Sequence, residues 1–231
     1  MAFLENEFFL IALTFGVFFV SKSAQKRTGW LFLNPILITI VFLIGYLKLT
    51  GITYETYNDA GHLIEFWLRP AVVALGVPLY RQLSAIRKQI IPLVVSSLVG
   101  CVVGIISVVS TALWLGASRE VAVSLASKSV TTPIAMEVTK AVGGIPSLTA
   151  AVVVCVGIFG AMMGFRILQF GHVTNPIAQG FSMGTASHAV GTSKAMEIGY
   201  HYGAYSSLGL TLNGIFTALL TPLVLEAMGL L

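Results

Sequence analysis

Residues 126–138 read ASKSVTTPIAMEV, and sixty positions later residues 186–198 read ASHAVGTSKAMEI. Seven of the first twelve positions are identical: Ala126/Ala186, Ser127/Ser187, Val130/Val190, Thr132/Thr192, Ala135/Ala195, Met136/Met196 and Glu137/Glu197. Ser147-Leu148 and Ser207-Leu208 continue the match at the same offset. A polar, Gly/Pro-broken segment that occurs twice is an internal repeat, and it decides how the rest of the chain is read.

The surroundings of the repeat are apolar. The chain is 56% hydrophobic and 10% charged, with mean hydropathy +0.91. Soluble domains carry about 25% charged residues, so this composition predicts an integral membrane protein. Apolar runs of about 20 residues predict helices rather than the alternating strands of a barrel. The net charge of +4 comes from short loops and is no nucleic-acid footprint. Cys101 and Cys155 both sit in apolar runs, which predicts buried thiols and no disulfide framework. The start, MAFLENEFF, is acidic. A signal peptide needs a basic n-region and a transit peptide needs Arg and Ser without acids. The first apolar helix is therefore expected to stay in the mature protein.

Six ordinary spans are expected near 5–21, 31–48, 62–80, 90–114, 147–168 and 205–227. The third contains Glu65, Arg69, Pro70 and Pro78 and is the least regular. Lys22, Lys26 and Arg27 are assigned to the first loop, and Arg81, Arg87 and Lys88 to the third. The second loop has Glu55 and Asp59 and no Lys or Arg. The positive-inside rule then places the first and third loops in the cytoplasm and both termini outside.

The repeated segments, near 119–143 and 178–200, fall between full spans. Thr131-Thr132-Pro133 interrupts the first and Gly191-Thr192-Ser193 the second. Proline removes a backbone donor, and glycine weakens a helix. Both segments are expected to be discontinuous helices, either re-entrant or crossing. Re-entrant segments make the two copies inverted, and that arrangement returns Arg166 to the cytoplasm. The fold class expected is an all-α polytopic membrane protein of about six full helices and two discontinuous ones. The division expected is an N-terminal three-helix region, 1–89, for scaffold or oligomerisation, and a transport core of two repeats of about sixty residues, 90–231.

Unwound backbone inside a bilayer is tolerated only where protein buries it or water reaches it. Two such breaks related by internal symmetry point to a transporter binding site. Half-helix N-termini attract anions. Lys128 aligns with His188, so each copy carries a basic side chain one residue after the matched serine. Intramembrane cations line aqueous or paired paths, and two of them facing one cavity favour a small anion. Ser129, Thr131, Thr132, Gly191, Thr192 and Ser193 are the other expected lining residues. Glu137 and Glu197 are candidates for proton coupling, or for pairing with Lys140 and Lys194.

Plainer readings compete with each of these. Ser and Thr in membrane helices often bond only the preceding turn. Gly100xxxGly104 and Gly160xxxGly164 are read as helix-packing motifs. Glu137 and Glu197 also suit helix ends near the interface. Asn34-Pro35 and Asn175-Pro176 are read as N-cap followed by N1. His62 and His201 are read as loop or interface residues. No His/Cys/Asp/Glu group has metal-ligand spacing, and no glycine cluster has the strand and helix of a phosphate loop. Ser187 and His188 are chain neighbours, which does not make a nucleophile and its base. The doubled motif withstands these readings.

SKSVTTPIAMEV followed by Gly143-Gly144, GTASHAVGTSKAMEIG at 184–199, NPILI at 34–38 and PLYRQ at 78–82 together resemble the LrgB family, also called the CidB family. The resemblance covers nearly the whole chain. The family often has Pro where Ser127 stands, so Lys128 carries more weight than Ser127. The resemblance implies a bacterial inner-membrane protein working beside a small LrgA-type membrane subunit. It implies two activities. Bacterial members bear holin-like and antiholin-like names, for control of murein hydrolases and lysis. A plant relative is the plastidal glycolate/glycerate translocator. Transport of a small monocarboxylate agrees with the reading of the residues, with no cofactor, metal or nucleic acid. An enzyme is not expected, because no catalytic constellation is present. A homo- or hetero-oligomer is expected.

Overall fold

The computed structural model describes residues 5–28, 30, 33–74, 77, 80, 84 and 87–231, without the side chains of residues 65, 67–69 and 71–74. Among the described residues there are nine helices and no strand. The chain divides into two compact units, Met1–Leu75 and Gly76–Leu231.

The first unit holds α1 (Glu7–Thr28), α2 (Pro35–Thr50) and α3 (Tyr54–Ala74). α1 packs against both of the others. Thr14 and Tyr57 share a hydroxyl hydrogen bond of 3.0 Å, and the rings of Phe9 and Tyr46 lie 6.5 Å apart. Asn34 caps α2 by accepting from the amides of Ile36 and Leu37, with Pro35 in the first turn. Gly51 ends α2 at φ 71, a left-handed cap that favours glycine. α1 runs further than expected, so Lys26 and Arg27 lie in its last turn, where they complement the helix dipole. α3 starts earlier than the third expected span and contains Pro70. The side chains of Glu65 and Arg69, and all of Pro78 and Arg81, lie outside the described residues.

The second unit holds α4 (Ile90–Trp114), α5 (Arg119–Leu125), α6 (Thr132–Ala141), α7 (Pro146–Phe170), α8 (Pro176–Ile198) and α9 (Tyr200–Ala227). α1, α4, α7 and α9 are long and apolar enough to cross a membrane, and α2 is a shorter apolar helix. The protein is an all-α membrane protein. α4 and α9 run in the same direction. Leu93 clusters with Tyr205 and Leu208, Cys101 pairs with Thr217 at 3.5 Å, and Val109 clusters with Leu225.

α5 and α6 are the two legs of a hairpin. Residues 126–131 between them are non-helical. Pro133 lies in the first turn of α6, with Thr131 as its N-cap. Proline therefore starts the second leg instead of sitting in the middle of the break. The Ile145 amide donates to Ser124 Oγ at 2.7 Å, and Thr149 Oγ1 donates to the Ser124 carbonyl at 2.8 Å. A helix running straight from 124 to 145 would separate those residues by about 30 Å. Ser127 closes the hairpin, donating to the Ala135 carbonyl at 3.1 Å and pairing with Thr139 at 3.0 Å.

α8 also doubles back. Its backbone leaves helical geometry at Ser187 (φ −127, ψ 16) and His188 (φ 43, ψ −140). Asn175, Pro176 and Ile177 line one concavity together with Gly199, Tyr200 and Tyr202. A straight helix would hold those two groups about 35 Å apart. Before the break Gly180 faces Tyr202 and Gly184 faces Ser206; after it Gly203 faces Met196. The first leg thus runs with α9 and the second against it.

The two hairpins are rooted at opposite ends of the α4–α9 pair. The first stands at the C-terminal ends, where Arg119 Nε donates to the Leu230 carbonyl at 2.6 Å and Ala122 and Val142 cluster with Ala112 and Leu225. The second stands at the N-terminal ends, where Phe181 clusters with Leu93 and Tyr205.

Candidate functional site

The non-helical stretch of each copy contains the matched serine and basic residue: 127 and 128 in one, 187 and 188 in the other. In the second copy this corrects the expectation of a break at Gly191-Thr192-Ser193. Gly191 permits unwinding but is used for proximity. A Cβ there would collide with Ser187 and with the Met183 carbonyl across the bend. The bend falls instead where the His188 ring finds a distant partner. Its Nε2 donates to the Val153 carbonyl at 2.8 Å. The carbonyl can only accept, so Nε2 carries the proton.

A cavity of about 490 Å³ lies between α7, the first leg of α8 and the tip of the first hairpin. Its polar lining is Lys128, Ser182, Ser187 and Cys155; the remainder is apolar, with Phe159 and Ile167 among it. A few polar groups on apolar walls is the usual constitution of a small-molecule site. Lys128 is half-buried, and its Nζ donates to Ser129 Oγ at 3.0 Å. Among the described residues no carboxylate pairs with it. An unpaired ammonium at a break in a membrane helix is costly, and an anion beside it would offset that cost.

The other expected residues are dispersed. Ser129 touches Lys128 through its hydroxyl, and its carbonyl accepts from Asn213 at 3.2 Å. Thr131 and Thr132 are half-buried at the start of α6, outside the cavity lining. His188 is buried and is absent from the lining, so the two basic residues do not face one cavity in this conformation. Thr192 is fully buried; it donates to the His188 carbonyl at 2.8 Å and accepts from Ser206 at 2.9 Å. Ser193 is exposed and donates to the Ala189 carbonyl within its own turn. Glu197 is exposed and pairs with Lys194 at 3.0 Å. Glu137 is exposed and, among the described residues, has no ion-pair partner.

Cys155 was misjudged from sequence and Asn213 was not singled out, whereas Gly160 and Gly164 pack as read. Cys155 is exposed on the cavity wall, not buried. Gly160 and Gly164 do pack, but against the second hairpin: a Cβ on either would collide with Ser187 or Met183. Asn213 donates both to the Ser129 carbonyl, at 3.2 Å, and to the Thr185 carbonyl, at 2.9 Å. One carboxamide thus ties the two broken segments to each other. The available signal was a lone Asn in the apolar span 205–227. Asn175 needs no such account, since it caps α8 through the amides of Ile177 and Ala178.

Val153 and Asn213 occupy the same place in the two copies, sixty residues apart. Val153 holds the second hairpin at His188, and Asn213 holds the first at Ser129. Each of the two equivalent positions thus contacts the broken segment of the other copy.

The family model of the LrgB-like family matches residues 14–227. The chain is 35% identical over 216 residues to the uncharacterized protein YwbG of Bacillus subtilis, covering 94% of this chain and 96% of the relative. It is 33% identical over 216 residues to the holin-like protein CidB of Staphylococcus epidermidis, covering 94% of each. No solved structure matches. A match across nearly the full length of both chains, together with the doubled motif and its two hairpins, places this chain in the LrgB-like family.

Proposed function

We propose that this protein is a secondary transporter of small monocarboxylates, such as glycolate, glycerate or lactate, working with an LrgA-type small membrane subunit. The observation that carries this reading is Lys128: an ammonium without a carboxylate partner among the described residues, on a cavity at the tip of a broken helix. A single carboxylate would satisfy it, and Ser129, Ser182 and Ser187 supply hydroxyls for a 2-hydroxy acid. The cavity suits an acid of a few carbons, with apolar walls for the remainder. Two hairpins rooted at opposite ends support an inverted repeat, the architecture in which one half moves against the other around a central site. In this reading residues 90–231 are the transport core and 1–89 a scaffold, with both termini outside the inner membrane. His188, Thr131, Thr132, Gly191, Thr192 and Ser193 belong to the moving hairpins and shape the site through them. Glu137 and Glu197 serve proton coupling from outside the cavity. No catalysis, cofactor or metal is part of the reading.

The name of the staphylococcal relatives favours a second reading, a holin-like protein whose role is assembly and lysis. Uptake of radiolabelled glycolate and lactate into proteoliposomes, with the small subunit present, separates the two. Saturable uptake that Lys128→Ala abolishes supports transport. Absence of uptake for every small acid by folded protein sinks it and favours the holin-like reading.

A further inference from the structure

The two copies match in sequence and differ in conformation. Gly100 and Gly104 of α4 stand sixty residues before Gly160 and Gly164 of α7, and Val123 and Ser127 stand sixty before Met183 and Ser187. In the second copy the glycines are engaged, Gly160 by Ser187 and Gly164 by Met183. In the first copy a Cβ on Gly100 or Gly104 would have no atom within 4 Å among the described residues. Ser127 turns instead to Ala135 and Thr139. Ala186 is exposed on the cavity, while its counterpart Ala126 is sealed in an apolar cluster with Ile105, Val109 and Leu225. His188 has a positive φ, and its counterpart Lys128 does not.

We propose that the Gly100–Gly104 face of α4 is the alternate seat of the first hairpin, and that the two hairpins exchange arrangements. A repeated unit found in two conformations within one chain displays both conformations open to that unit. In the exchanged state Ser127 and Val123 lie on Gly100 and Gly104, and Ala126 lines a new cavity that His188 faces. The second hairpin leaves Gly160 and Gly164, and the present cavity closes over Ala186. Because the hairpins are rooted at opposite ends, the two cavities open to opposite faces of the membrane. This also explains the glycine pair itself. A glycine inside a helix weakens it relative to alanine, and in the present state no described atom lies within 4 Å of where a Cβ on either would stand. The purpose of the exchange rests on the transport reading, but its test does not.

Ala126→Cys and Ala186→Cys are made singly in protein with Cys101→Ser and Cys155→Ser, embedded in vesicles. A membrane-impermeant methanethiosulfonate is applied to either face. Both cysteines are expected to react, each from the opposite face. Gly100→Leu with Gly104→Leu, at positions where a Cβ has no described atom within 4 Å in the present state, is expected to slow the Ala126→Cys reaction at least about ten-fold by holding that state. Ala186→Cys stays reactive in the same background. Gly100→Ala with Gly104→Ala is the milder variant, expected to slow the reaction in the same direction. The inference is overturned by an Ala126→Cys that is inert from both faces, or that reacts from the same face as Ala186→Cys. It is also overturned by leucine and alanine variants that leave labelling unchanged, or that alter only oligomer size, which would make this face an intermolecular interface. Opposite-face labelling without uptake of any acid would remove the monocarboxylate reading and leave the exchange standing.

Discussion

The ring of His188 and the carbonyl of Val153, on neighbouring helices, meet at 2.8 Å, and this contact holds a non-glycine residue at φ 43. Such a conformation costs about 1–3 kcal/mol and persists only when its surroundings over-determine it. His188→Ala keeps the strained position and removes the partner. It is expected to lose about 1–3 kcal/mol, the usual penalty for a buried hydrogen bond left unmade. Thermal unfolding in detergent reads this as a fall in Tm of a few degrees. An unchanged Tm would mean that the ring does not hold the bend.

Asn213 is expected to be more sensitive than its apolar surroundings imply. Asn213→Val installs the residue found at the equivalent position, 153, and strips donors from the Ser129 and Thr185 carbonyls. Two lost, partly buried bonds predict about 2–5 kcal/mol. Protease protection at both hairpin tips should fall together. Loss at one tip alone would show that the carboxamide does not join them.

Lys128→Arg and Lys128→Gln should separate charge from size. Arginine keeps the charge with a different donor geometry, so uptake is expected to weaken about ten-fold while saturating. Glutamine removes the charge and is expected to behave like Lys128→Ala. Equal uptake by glutamine and lysine would exclude charge as the basis of anion binding.

Glycine substitutions should sort by their neighbours. Gly184→Ala drives a Cβ into the backbone of Ser206, and Gly180→Ala into that of Tyr202. Backbone gives way poorly, so each is expected to cost about 2–3 kcal/mol or more. Gly45→Ala meets no atom within 4 Å among the described residues and should be neutral or gain about 0.5–1 kcal/mol. Melting curves of the three variants check the ordering.

The Lys194–Glu197 pair is about half exposed, at 42% and 55% of its side chains. Exposed pairs contribute about 0–1 kcal/mol. Glu197→Gln should therefore leave Tm nearly unchanged. If uptake driven by a proton gradient falls in this variant at constant Tm, the carboxylate acts in coupling; if neither moves, it has only a surface role.

The sequence by itself determined the membrane class, the helical content, the two Asn-Pro caps and the existence of two matched broken segments. These depend on local properties: apolar run length, proline and glycine chemistry, and self-similarity at a fixed offset. Tertiary structure decided where the second segment bends. Local propensity pointed to Gly191-Thr192-Ser193, but the bend lies at Ser187 and His188. The His188 ring bonds a carbonyl thirty-five residues away, and the Gly157–Gly160 face of α7 admits Ser187 and His188. Tertiary structure also left one basic residue on the cavity and the other off it. Lys128 and His188 are equivalent in the repeat, so no local rule distinguishes them. Their surroundings do, because two copies packed against different neighbours cannot share one conformation.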